Sequence, residues 1–173
     1  MKNKIYLITL LLIGSLLNSC DSDDLKYQNE FGTSKEKWLD FKKSSDNSYK
    51  FVVTGSSWTG LSWETTITVE NGMVIQRDFQ YTSTAALSSD IPHSELQWTE
   101  TGSEIGTHKN GAEPITLDEV YNLAQHDWLI ERKDTRFYLE TENDGMISTC
   151  GYVENLCADD CFVGINIKNI VAF

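Results

Sequence analysis

Cys150, Cys157 and Cys161 form a Cys-x6-Cys-x3-Cys run near the C-terminus, and two chemistries suit that spacing. In a reducing compartment three thiolates with a histidine as fourth ligand suit a tetrahedral zinc site. In an oxidising compartment two of the three pair as a disulfide. If residues 146–152 and 162–170 form a hairpin, Cys150 and Cys161 fall near opposite ends of its loop. A bond there would close about ten residues and stabilise the fold by ~2–3 kcal/mol. Cys150 with Cys161 is therefore the expected pair, Cys157 with Cys161 is its rival, and the third thiol is left buried or free.

Other constellations carry less. Glu140-x-Glu142-x-Asp144-Gly145 echoes the opening of a calcium loop, but Gly151 stands where the bidentate glutamate belongs, so the run reads as a strand edge followed by an Asn-Asp-Gly turn. Glu154, Asp159 and Asp160 offer at most a loose calcium site, and Asp159-Asp160 reads as a turn into the last strand. The three histidines, His93, His108 and His126, show no paired metal spacing, and His126 is placed to cap a helix C-terminus. No Gly-x-Ser-x-Gly elbow is present. A carboxylate pair for glycosidase chemistry needs only proximity in space, which spacing does not select. No cofactor and no resident metal are expected. Trp58, inside the polar stretch Ser56-Ser57-Trp58-Thr59-Gly60, has no core to enter and is the candidate binding residue, as an interface anchor or a sugar platform.

The first residues decide which cysteine chemistry applies. Lys2 and Lys4 precede an apolar run over residues 5–17, shorter than the roughly 20 residues of a membrane span, which reads as a signal peptide. It ends Leu17-Asn18-Ser19-Cys20, which resembles the lipobox of bacterial lipoproteins: an aliphatic residue three before the cysteine and a small one just before it. Residues 1–19 are then removed, and Cys20 carries a diacylglyceryl thioether and an acylated amine of the palmitate type, several chains anchoring far better than one. Asp21-Ser22-Asp23-Asp24 resembles the acidic signal that Bacteroidetes-type lipoproteins carry to the cell surface, and residues 20–32 read as a polar tether. The expected location is the cell envelope, on the outer membrane and exposed at the surface.

Removal of Lys2 and Lys4 takes the formal charge from −12 to −14. With a pI near 4.5 and no clustered basic face, nucleic acid and anionic lipid are excluded as partners. Residues 33–173 suit one domain with one core.

The elements that position these residues follow from pattern. Thr33 and Glu36 form a capping box ahead of a helix bearing Trp38, Leu39 and Phe41. Residues 49–54 and 63–70 alternate as half-buried strands, and Asn71-Gly72 makes a tight turn that pairs Val69 with Val74. Further strands are expected over 73–81 and 95–101, and residues 83–94 and 102–114 read as loops. Thr116 and Glu119 cap a second helix with Leu117, Val120, Tyr121 and Ala124 on one face. Strands over 136–142, 146–152 and 162–170 complete an antiparallel sheet of about six to seven strands with two helices on one face, an α+β class.

Trp38, Tyr49-Lys50-Phe51, residues 67–74 with Asn71-Gly72, residues 116–121, residues 144–148 and Ala158-Asp159-Asp160 together resemble a family of small Bacteroidetes-type lipoproteins without an assigned activity. The resemblance implies this fold and this address, and no active site. Family members often carry an early cysteine pair, where this chain has Ser56, Ser57 and Trp58.

The expected function is a membrane-anchored, non-enzymatic binding module for a protein or glycan. A hydrolase using a carboxylate pair, or an inhibitor of a secreted enzyme, are the alternatives.

Overall fold

The computed structural model describes residues 25, 27–84, 87, 91–158 and 161–173. The signal peptide, Cys20, the acidic run 21–24 and the Asp159-Asp160 turn lie outside the described residues.

The elements run α1 (Gln28–Ser44), β1 (Tyr49–Ser56), β2 (Leu61–Glu70), β3 (Met73–Thr84), the single turn α2 (His93–Leu96), β4 (Gln97–Thr101), α3 (Leu117–Leu123), β5 (Thr135–Glu140), β6 (Thr149–Glu154) and β7 (Val163–Ala172). The seven strands form one sheet of order β4-β3-β2-β1-β7-β6-β5, and every neighbouring pair is antiparallel. The fold is α+β, one antiparallel sheet with helices packed on it. Two meanders, β1 to β4 and β5 to β7, meet where β1 pairs with β7, so the seam joins the first strand to the last.

Alternation sets the two faces. Tyr49, Phe51, Val53, Ile67, Val69, Ile165 and Ile167 point to one side and are buried. α1 and α3 cover that side, Trp38 meeting Tyr49 edge-on at 5.2 Å and stacking on Tyr121 at 6.1 Å. The Tyr49 hydroxyl accepts a hydrogen bond from the Leu117 backbone at 3.0 Å, which satisfies a buried donor in the first turn of α3.

Local signals place the turns. Asn71 and Gly72 adopt φ 50° and 79°, and Val69 faces Val74 across the hairpin, as the pair requires. The second capping box is present: Thr116 Oγ1 accepts from Glu119 N, and Thr116 N donates to Glu119 Oε2 at 2.7 Å. The helix continues through one wider turn, Ala124–Trp128, where the Asn122 carbonyl lies 3.0 Å from His126 Nδ1.

The first helix differs from expectation. It starts at Gln28, within the stretch read as tether, and Thr33 lies inside it, its hydroxyl donating to the Asn29 carbonyl at 3.1 Å. Phe31 is buried against the core and Leu25 bridges Ile130, so apolar contact upstream draws the helix past Gly32.

The cysteine pairing also differs. Cys157 is bonded to Cys161, with Cα atoms 6.1 Å apart, and Cys150 is free and buried. Register explains the correction. Cys150 lies opposite Ile165 in the β6–β7 ladder and points into the core, four positions along from Cys161. At about 3.3 Å per residue that separation is beyond the reach of a disulfide. Burial pushes the Cys150 thiol up to about 12, so it behaves as a small apolar residue.

Candidate functional site

β1 and β7 do not stay paired along their length. The ladder runs from Tyr49 opposite Ala172 to Val53 opposite Ile167, with a bulge at Lys168, and stops there. Beyond it Thr54–Ser56 remains with β2 alone, and Val163–Asn166 with β6 alone. The sheet forks at this point. No other described strand lies in the fork.

The orientation of the fork's edges follows from hydrogen-bond alternation. Ser57 N donates to the Leu61 carbonyl at 2.9 Å, so Val53 and Gly55 turn their backbone groups to β2 and Thr54 and Ser56 turn theirs toward β7, where the Val53–Ile167 bridge joins Thr54 N–H to the Asn166 carbonyl and Ser56 opens into the fork. Ile167 N donates to the Ser148 carbonyl at 2.6 Å, so on the other flank Gly164 and Asn166 turn theirs inward.

Cavities lie on both sides. On the helix-covered face, about 670 Å³ is lined by Trp63, Ile115, Leu123, Trp128, Phe162 and Ile165, with Glu113 at the rim. On the open face, a groove of about 730 Å³ is lined by Glu64, Glu140, Glu142 and Lys168 together with serine, threonine and asparagine side chains. Thr54, Gly55, Ser56, Trp63 and Asn166 belong to both, so the fork connects them. One side is aromatic and apolar, the other acidic and polar. Lys168, the bulge residue, spans the base of the fork to Glu64 at 2.7 Å, whereas Glu140 and Glu142 have no cation beside them among the described residues.

Glycines permit the close packing around the fork. The indole of Trp63 lies flat against Gly55, where a Cβ would meet its ring at 2.2 Å, and this opens the apolar side. The Cys157–Cys161 loop borders the same cavity through Cys161.

The residues singled out by sequence are placed as follows. Trp58 is 74 % exposed at the tip of the β1–β2 hairpin, two residues beyond Ser56 at the mouth of the fork. Among the described residues no cluster of three histidine, cysteine or acidic side chains has the geometry to hold a metal. Glu140 and Glu142 line the open groove, Glu140 as the last residue of β5 and Glu142 two residues beyond it. His93 lies on α2.

One group escaped the sequence reading. Glu100, fully buried on β4, faces Arg77 on β3, and its Oε2 lies 3.3 Å from Arg77 Nε. It accepts from Gly106 N, Thr107 Oγ1 and His108 N, and lies 2.9 Å from His108 Nδ1. Arg77 donates from Nη2 to the carbonyls of His108 and Asn110 and lies over Trp98, on which the His108 ring also stacks. Burial by itself raises the Glu100 carboxyl, but these donors outweigh it and hold it at about 2. The cluster fastens the 102–114 loop, whose Gly111 and Ala112 line the apolar cavity. The signal was present: Arg77 shares a strand face with Phe79, and Glu100 with Trp98.

No helix among the described residues is long and apolar enough to cross a membrane. Compared with protein-family models, characterised proteins and solved structures, the chain finds no significant match.

Proposed function

We propose that this chain is an envelope lipoprotein tethered through lipid on Cys20, and that its domain is a non-enzymatic binding module whose ligand enters the fork between β1 and β7. The Leu17-Asn18-Ser19-Cys20 run supports the address, and the acidic residues behind it support exposure at the surface. The forked sheet supports binding, because it pairs a large apolar cavity with convergent polar groups, the usual form of a ligand site.

Two measurements test this. Labelled palmitate is incorporated by the expressed chain and lost in Cys20→Ala, and protease treatment of intact cells removes the domain. A photo-crosslinking residue at Leu123, in the cavity, gives an adduct in intact envelopes, while the same residue at Leu39, 51 % exposed on α1, gives none. Absence of the Leu123 adduct removes the fork as the site.

A hydrolase is the second reading, favoured by one observation: Glu64, Glu140 and Glu142 line one groove. Turnover of a glycan lost in Glu140→Gln or Glu142→Gln would replace the binding reading with this one.

A further inference from the structure

We propose that the fork takes an extended polypeptide strand from a partner protein, one whose side chains alternate between apolar and basic. The proposal deepens the binding reading above and rests on it.

The backbone argues for a strand. The Val53–Ile167 bridge joins Thr54 N–H to the Asn166 carbonyl at the base of the fork, and beyond it Ser56 on one flank and Gly164 on the other turn their N–H and C=O groups into a gap that no described strand fills. Two facing edges of this kind are a template for another chain, and main-chain bonds supply the affinity when a peptide adds to a sheet. Because β1 and β7 run antiparallel, the inserted strand would be parallel to one flank and antiparallel to the other.

The two faces argue for the side chains. An inserted strand shares the pleat of the sheet, so its alternate residues point to opposite faces. Those in line with Gly55 and Ile165 enter the apolar cavity between Trp63, Leu123, Trp128 and Phe162. Those in line with Ser56 and Gly164 enter the open groove, where the carboxylates of Glu140 and Glu142 lack a cation among the described residues and Lys168 is already held by Glu64. Lysine or arginine satisfies the second set and valine, isoleucine or phenylalanine the first. The mature chain, taken from a formal charge of −12 to −14 by loss of Lys2 and Lys4, attracts such a segment over distance as well.

The test uses the mature lipidated protein in neutral detergent and a fluorescent ten-residue peptide of alternating lysine and valine, read by anisotropy against micelles alone. Two control peptides carry the same composition in blocks, or the same sequence with every second backbone amide N-methylated. The alternating peptide is expected to bind at least tenfold more tightly than either control. Glu140→Gln with Glu142→Gln, at unchanged melting temperature, is expected to weaken it about fivefold and to flatten its salt dependence. Ser56→Pro, which removes an N–H aimed into the fork, is expected to abolish binding.

Equal binding of the N-methylated or block peptide overturns the proposal, and so does no binding at all. If no peptide binds but the Leu123 crosslink forms, the binding module stands and the strand proposal falls. If neither occurs, both fall.

Discussion

Arg77 and Glu100 face each other across β3 and β4, both buried, and the carboxylate is the only anion within reach of the Arg77 side chain among the described residues. Arg77 Nε makes no hydrogen bond of good geometry, although it lies 3.3 Å from Glu100 Oε2, so the pair is joined by charge while Arg77 Nη2 donates to loop carbonyls and the loop's N–H groups donate to the carboxylate. Removing one partner leaves a charge buried alone. Arg77→Met and Glu100→Gln are each expected to cost about 3–5 kcal/mol in urea unfolding, and the double variant less than their sum.

The same carboxylate gives the fold a pH dependence. Its pKa in the folded state is about 2, depressed below the ordinary 4.5, so the folded state binds this proton less readily than the unfolded chain. The stability it contributes is complete above pH 4.5 and is lost as pH falls toward 2. Denaturation followed between pH 5 and 2 is expected to show that loss, and Glu100→Gln is expected to reduce its slope; an unchanged slope would remove Glu100 as its source.

Cys150 and the disulfide are expected to separate by reactivity. In the native domain the buried Cys150 resists iodoacetamide, and unfolding without reductant releases one thiol, since Cys157 and Cys161 are bonded to each other. A single thiol found on Cys157 instead of Cys150, or three thiols after unfolding, would contradict this pairing. Replacing Cys157 and Cys161 together with alanine is expected to cost at most about 2 kcal/mol, because so short a loop loses little entropy on closure.

Gly151 and Gly164 stand opposite each other in β6 and β7, and a Cβ on Gly164 would lie 2.1 Å from the Cys150 carbonyl oxygen. Gly164→Ala is expected to destabilise by about 1–3 kcal/mol and to disturb the flank of the fork. Gly32→Ala, inside α1 with nothing within 4 Å, is expected to stabilise by about 0.5–1 kcal/mol. Thermal unfolding of the two variants checks the contrast.

The Tyr121 hydroxyl donates to the Ser34 carbonyl at 3.1 Å, accepts from Ile147 N at 3.1 Å and shares a bond with Ser34 Oγ. It ties α1 to α3 and to the segment before β6. Tyr121→Phe leaves the buried Ile147 N–H without that acceptor, and a loss of about 1–3 kcal/mol in chemical unfolding is expected.

Much of this architecture was legible in the chain because its signals are local. The alternation of residues 63–70, the Asn71-Gly72 turn and the Thr116-Glu119 box each act within a few residues, and each appears where its chemistry places it. The start of α1 was not legible, since burial of Phe31 and the Leu25–Ile130 bridge outweigh a local cap. The cysteine pairing turned on strand register, which three cysteines near one hairpin do not fix.

The site divides along the same line. Alternation of side chains, the acidic balance and the exposed Trp58 are properties of residues and their neighbours, so the sequence by itself determined the faces of each strand and the class of the fold. The fork is different. It depends on β1 meeting β7 across almost the whole chain, on the bulge at Lys168 that ends their pairing, and on Gly55 admitting the Trp63 ring. Those are relations between segments far apart in sequence, and only packing of the complete sheet against its helices brings them together.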